Sequence, residues 1–293
     1  MQERLEGRIT RVHSAFCMVL SGQREYRCVF RGRIRKESSD VYPGDLAVIR
    51  EQGGQFLVEN ILPRKNLLIR PPVANVDQMI VVTALTHPPI DRVGIDRLLV
   101  HAEAQGIAGA LCINKCDIEN MQEIRALKEI YEKAGYPVRV TSATERIGLE
   151  SLAGIIEGTV AVVAGPSGVG KSCLLSGLLG VEIEAKELGR TMRGRHTTKG
   201  VTLFRIGRQG FLADTPGFSK LESVTCEPHE IAHYYPEMAA YAHLCHFPRC
   251  LHKTEDLCQV KDALAQGKIA PERYASYLVL LDECLEKVKR KYE

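Results

Sequence analysis

Residues 165–172 read Gly-Pro-Ser-Gly-Val-Gly-Lys-Ser, a glycine-rich loop with lysine and a hydroxyl at its end. That spacing suits a phosphate cradle. Glycines let the backbone wrap close enough for its N–H groups to point at phosphate oxygens. Lys171 would reach the β- and γ-phosphates, and the Ser172 hydroxyl would ligate Mg²⁺. The contact set is Gly165, Pro166, Ser167, Gly168, Val169, Gly170, Lys171, Ser172 and Cys173.

A second stretch lies upstream, Asn114-Lys115-Cys116-Asp117. The Asp117 carboxylate can accept from guanine N1–H and the 2-amino group, whereas adenine offers neither donor there. A buried carboxylate left unpaired is costly, so such a site discriminates strongly. Asn114 would brace the loop and Lys115 would lie along the base. Thr141-Ser142-Ala143 could supply a backbone N–H to guanine O6, with Ser142 and Ala143 as the contacts. Asp214-Thr-Pro-Gly217 is a fourth piece, in which Asp214 would hold Mg²⁺ through water and the Gly217 N–H would meet the γ-phosphate. In Gly194-Arg-His-Thr-Thr-Lys-Gly200 a threonine, Thr198 by preference or Thr197, would complete the Mg²⁺ shell. A third chemistry is suggested by Cys245-x₄-Cys250-x-His252-x₅-Cys258, a full tetrahedral set for one structural Zn²⁺. His243 and His246 lie close by.

The elements that must position these residues follow from periodicity. Residues 4–68 alternate with period two in GRITRVHS, FCMVLSG, YRCVFRGRI, DLAVIRE and QFLVENILP. About five short strands suit an OB-fold barrel, and a Tudor- or SH3-like barrel would look similar. From about residue 76 the pattern changes. VDQMIVVTAL is a continuous apolar run, typical of a strand buried on both faces. Strands GALCIN, PVRVTSA and TVAVVAG then alternate with helices near 94–106, 121–135, 149–157 and 171–180, as in an α/β parallel sheet. VTLFRIGRQGFLAD reads as a hairpin. PERYASYLVLLDECLEKVKRKYE reads as a helix with Tyr274, Tyr277, Leu278, Leu281, Leu285 and Val288 on one face.

All four nucleotide motifs fall at the carboxyl ends of these strands, where open α/β sheets bind ligands. The base reader precedes the phosphate loop, the reverse of a Ras-like order. A parallel sheet places a motif by its strand and not by its rank in the chain. The order NKCD, TSA, GPSGVGKS, GRHTT, DTPG is therefore that of a circularly permuted P-loop GTPase. The expected fold is multidomain. Residues 1–68 form an OB-fold β-barrel that binds RNA, 69–222 the permuted α/β GTPase domain, and 223–293 a helical zinc-binding domain.

This arrangement resembles the RsgA family of ribosome-assembly GTPases, also called YjeQ or YloQ, over nearly the whole chain. The resemblance implies a late-acting factor on the small (30S) ribosomal subunit and its rRNA, with GTP hydrolysis stimulated by that particle. It also favours His252 as the fourth zinc ligand. Two departures from the family pattern are Pro166, where Gln is frequent, and Leu257, where Gly is usual.

Phe218 follows the DTPG turn, where Ras-like enzymes carry a water-orienting Gln. Catalysis must borrow a group. His196 in GRHTT is the candidate, since an imidazole can accept from the attacking water. Arg190, Arg193 and Arg195 are rivals. The second switch runs into the zinc domain, so loss of the γ-phosphate would change how that domain sits.

Charge is uneven. The chain carries +3 overall, and residues 1–70 hold 13 Lys+Arg against 8 Asp+Glu, or +5. The barrel's Arg24, Arg27, Arg31, Arg33, Arg35 and Lys36 could face RNA, or protect an edge strand. No apolar run approaches the ~20 residues of a membrane span, and the start MQERLEGRITRV has no secretory h-region. A cytoplasmic monomer is the expectation. The alternatives are a small-molecule kinase, opposed by NKCD and DTPG at strand ends, and a nucleic-acid-binding module with a degenerate nucleotide domain, opposed by the complete motif set.

Overall fold

The computed structural model describes residues 4–30, 41–180, 197–214 and 226–292. The chain divides into two compact units. One comprises residues 1–78, 149–163 and 172–218, the other 79–148, 164–171 and 219–293.

In the first unit five strands close a barrel: β1 (Arg4–His13), β2 (Phe16–Ser21), β3 (Arg24–Phe30), β4 (Leu46–Gln52) and β5 (Gln55–Ile61). β1 pairs with β2 and β4, β2 with β3, and β5 joins β3 in parallel and β4 antiparallel. This closure, with one parallel pair, is the OB-fold arrangement. Period-two alternation turns Ile9, Val19, Cys28, Ile49 and Val58 inward, where they are fully buried. Cys17 and Cys28 are cross-strand neighbours in this core, and burial pushes the Cys28 thiol up to about 12. They are small core hydrophobes with no redox chemistry asked of them.

The barrel does not end where its periodicity ends. Buried Asp45 accepts from Tyr42 N at 2.8 Å and from Arg64 Nε at 2.5 Å and Nη2 at 2.8 Å. Asn75 donates to Gly44 O at 3.0 Å and accepts from Lys65 N at 2.9 Å. These bonds pin a short hairpin, β6 (Leu67–Leu68) and β7 (Val73–Ala74), to the barrel. Two-residue strands carry no readable period, so the sequence does not announce them. The same unit holds α3 (Leu149–Ile156), β11 (Val160–Ala164), α4 (Lys171–Leu179), β12 (Thr197–Ile206) and β13 (Gly210–Asp214). β13 pairs with β11 in parallel and with β12 as the expected hairpin. β12 also pairs with β1, Arg11 opposite Thr202, so a barrel strand is continued by β12, β13 and β11.

The second unit carries the parallel strands β8 (Gln78–Thr83), β9 (Ala108–Ile113) and β10 (Val138–Val140), with β9 between the other two. Residues 79–83 of β8 are all buried, as the unbroken apolar run requires. Helix α1 (Arg92–Ala104) is capped by Asp91 and α2 (Met121–Lys133) by Asn120, each side chain accepting a first-turn N–H. The C-terminal part is helical: a 3₁₀ turn (Pro228–Tyr234), α5 (Pro236–Ala242), α6 (Gln259–Ala265) and α7 (Pro271–Tyr292). On α7, Tyr277 and Leu281 are fully buried, on the face the sequence marks. Among the described residues no helix is long and apolar enough to cross a membrane.

One buried cation binds this C-terminal part to α1 and α2. Arg273 is 1% exposed. Its guanidinium pairs with Asp96 of α1 and, through two bonds of 2.7 and 3.2 Å, with Glu237 of α5. The rings of Tyr235, Tyr131 and Tyr136 surround it at 4.6, 5.2 and 5.3 Å. Tyr131 Oη also donates to Asp96 at 2.8 Å. Removing the cation strands two carboxylates in a low-dielectric interior. Arg273→Met is therefore expected to cost about 3–5 kcal/mol in urea unfolding. A loss within ~0.5 kcal/mol, the range of ordinary surface substitutions, would refute that role.

Candidate functional site

The glycine-rich loop joins β11 to α4, as the motif requires. Two of its glycines have no substitute. Gly165 has φ +140°, and a Cβ there would stand 2.2 Å from Val82 O; Gly170 has φ +94°, and a Cβ there would stand 2.4 Å from Asn114 Nδ2. Lys171 Nζ lies over the loop, donating to Gly165 O at 2.8 Å and Pro166 O at 2.7 Å. Burial lowers its ammonium below the usual lysine range. Pro166 contributes only a carbonyl to this contact, so its departure from the family pattern leaves the cradle intact.

Asn114 joins three motifs. It follows β9 and is 1% exposed. Its Nδ2 donates to Val169 O of the phosphate loop at 2.8 Å. Its Oδ1 accepts from Thr141 Oγ1 at 3.0 Å and Ala143 N at 3.2 Å. Cys116 N donates to Thr141 O at 3.0 Å, a second tie between the base-reading loop and the TSA turn. The amides of Thr141 and Ser142 donate to Ile113 O and Ile147 O. All three TSA amides are thus engaged within the protein, Ala143 by the longest bond.

Asp117 is exposed, not buried as the sequence argument supposed. Lys115 has φ +65° and donates from Nζ to His87 O at 2.5 Å. The loop containing His87 is held in turn by Glu119. That residue has no place in the sequence reading, because its partners lie more than thirty positions away. Ser172 lies in the first turn of α4, and Asp214 ends β13 opposite Thr202. Thr197 and Thr198 open β12, and their side chains lie outside the described part. His196, Gly217, Phe218, Arg190, Arg193, Arg195, Arg31, Arg33, Arg35 and Lys36 also lie outside it.

Cys245, Cys250, His252 and Cys258 converge, with their ligand atoms within 4.8 Å of one another. His252 Nδ1 lies 3.5 Å from Cys245 Sγ and 3.3 Å from Cys258 Sγ, and those two sulfurs are 3.9 Å apart. A tetrahedral metal with bonds of about 2.3 Å to sulfur needs edges of about 3.8 Å. The donor set and its spacing therefore fit one ion, and they single out His252 over His243 and His246, which are exposed. Three supports hold the loop. Glu255 accepts from Leu251, Lys253 and Thr254 N–H at 2.7, 2.9 and 3.0 Å. Tyr274 and Tyr277 of α7 donate to His252 O and Leu251 O. On the barrel, Arg27 lies over Phe16 at 4.2 Å and Arg24 over Tyr26 at 5.0 Å, an aromatic–basic surface.

The Leu257 departure has a backbone reason. Leu257 has φ +56° and is 68% exposed, so it takes a left-handed conformation without packing gain. That conformation costs a branched residue roughly 1–2 kcal/mol, partly offset in glycine by a freer unfolded chain. Leu257→Gly is expected to stabilise the protein by about 0.5–1 kcal/mol, read as a higher midpoint in thermal unfolding. A lowered midpoint would contradict the strain argument.

Comparison with known proteins agrees with this geometry. The family model of the RsgA GTPase matches residues 61–224. A small ribosomal subunit biogenesis GTPase RsgA from Caldanaerobacter subterraneus subsp. tengcongensis is 40% identical, covering 99% of each chain. The crystal structure of YjeQ from Thermotoga maritima superposes with a TM-score of 0.83 at 34% identity, over 97% of this chain and 99% of that one. That of YloQ, a circularly permuted GTPase, gives 0.82 at 31%, over 97% and 96%. With the family model matching more than half of the chain and a relative 40% identical over nearly its whole length, this chain belongs to the RsgA GTPase family.

Proposed function

We propose that this GTPase couples hydrolysis of GTP to GDP and phosphate to late maturation of the small ribosomal subunit, binding its rRNA and leaving after hydrolysis. The observation that carries the nucleotide assignment is the Asn114 amide, which ties the base-reading loop to the phosphate loop at 2.8 Å. A bound guanine would desolvate the exposed Asp117 while giving it two donors. Ala143 N–H, on its 3.2 Å bond, is the amide most easily redirected to guanine O6. The names of the relatives carry the ribosomal part.

The residue roles follow the motif chemistry. Lys171 moves from the loop carbonyls to the β/γ-phosphates. Ser172, Thr198 and, through water, Asp214 would hold Mg²⁺, which when bound would supply charge neutralisation to the phosphates. Gly217 N–H meets the γ-phosphate, and His196 accepts from the attacking water. The metal of the Cys₃His loop is Zn²⁺, the usual partner of that donor set, worth about 10–16 kcal/mol of apparent binding free energy. Arg24 and Arg27 with Arg31, Arg33, Arg35 and Lys36 contact rRNA. The division into 1–68, 69–222 and 223–293, a monomeric state and a cytoplasmic location belong to the same reading.

Two measurements test it. Turnover with purified small subunits should rise by about 10³-fold or more over the intrinsic rate, with large subunits as control, as when a charge-stabilising group is brought in elsewhere. Turnover unchanged by either particle would remove the ribosomal assignment. Asp117→Asn should move preference from GTP to XTP by about 10²-fold or more, since a carboxylate partner becomes an amide. Unchanged specificity would remove Asp117 as the base reader.

A further inference from the structure

The loop between β8 and α1 belongs to none of the nucleotide motifs, yet it bonds to one of them and lies beside another. Lys115 Nζ of the base reader donates to His87 O at 2.5 Å. On the phosphate-loop side, a Cβ on Gly168 would stand 3.8 Å from Pro88 Cδ, ordinary contact distance. The loop is closed on itself by Ile90 N donating to Leu85 O at 3.0 Å and by a bridge between Thr86 and Pro89.

A single carboxylate holds this loop in place. Glu119 is 8% exposed. Its Oε1 accepts from Leu85 N and Thr86 N, both at 3.0 Å, and its Oε2 accepts from Thr86 Oγ1 at 2.9 Å. Burial alone would push its carboxyl up, but the bonds from Thr86 and Leu85 outweigh it, and the group titrates below its ordinary range. Glu119 lies two residues after Asp117 and immediately before Asn120, the N-cap of α2. It therefore fixes the 85–88 loop to the segment that carries the base reader.

We propose that Glu119 is a positioning residue for guanine-nucleotide binding: by holding the 85–88 loop it supplies the carbonyl that orients Lys115 and the wall that backs the phosphate loop at Gly168. The proposal rests on the reading of residues 114–117 and 165–172 as the GTP site. Glu119 touches no nucleotide itself. Its effect falls on ground-state binding of the base and not on the bond that breaks. It should therefore appear in KM and in the Kd for GDP, and leave kcat unchanged at saturating GTP.

The test uses the full chain, with GDP affinity from competition against a fluorescent GDP analogue and steady-state kinetics with GTP. Glu119→Ala is expected to raise the Kd for GDP and the KM for GTP about tenfold, from loss of charge-assisted bonds, with kcat unchanged. Glu119→Gln keeps the acceptor for the two amides and can donate to Thr86 Oγ1, so it should restore affinity to within about threefold of wild type. Thr86→Val keeps the two amide bonds to Glu119 and removes the hydroxyl contacts to Glu119 Oε2 and His87 Nδ1, and it should cost about threefold. If Glu119→Ala does not fold, Thr86→Val decides the matter. Wild-type affinity in folded Glu119→Ala, or in Thr86→Val, overturns the proposal, as does a fall in kcat with KM unchanged. A wild-type protein that binds GDP no better than ADP would instead overturn the GTP-site reading, whatever Glu119 does.

Discussion

The nucleotide site depends on one side-chain amide. Asn114 uses its nitrogen on the phosphate loop and its oxygen on the TSA turn, so both ends of the amide are engaged. The constraint runs in both directions. Asn114 Nδ2 occupies the space a side chain at residue 170 would need, so Gly170 follows from Asn114 as much as from the phosphates. A buried amide stripped of such partners costs about 1–3 kcal/mol, enough to make the joint nearly obligatory. The joint also makes the permuted order physically neutral. It connects strand ends in space, and the hydrogen bond is indifferent to which loop is synthesised first.

What was legible in the sequence was what is local. The phosphate loop, the NKCD tetrad and the cysteine spacing are fixed by residues within fifteen positions of each other, and each has a chemical reason for its residue types. The five barrel strands and the long terminal helix were legible because amphipathic period survives in any context that leaves one face wet. Glu119 and Arg273 were not. Each reads as an ordinary surface charge until the partner is known, and their partners lie 33–34 and 36–177 positions away. The β6–β7 hairpin was hidden by its brevity. The β1–β12 pairing was hidden because an edge strand's partner is set by tertiary approach and not by its own pattern.

The metal loop shows the same division. Three cysteines and three nearby histidines leave the fourth ligand ambiguous on spacing alone. The fold resolves it through supports that have no spacing signature: Glu255 gathering three amides, and two α7 tyrosines pinning the carbonyls of Leu251 and His252. The left-handed backbone of His252 then turns its imidazole toward the sulfurs.

These supports bear on how nucleotide state could reach the metal loop. The sequence suggests that loss of the γ-phosphate reseats the zinc domain through the second switch. Yet α7, which braces the metal loop, also carries Arg273, and Arg273 is paired inside the protein with Asp96 of α1. Arg97 adds a second α1–α7 bond, to Glu283. A movement that parted α7 from α1 would take Arg273 away from the buried Asp96, while Glu237 of α5 kept the cation, and breaking such a buried pair costs about 3–5 kcal/mol. A ligand shifts an equilibrium only by its differential affinity for the two states, and allosteric couplings amount to about 1–3 kcal/mol. Parting the two helices therefore costs more than a typical allosteric coupling supplies. A movement of the metal loop that keeps these bonds carries α1, α7 and that loop as one body.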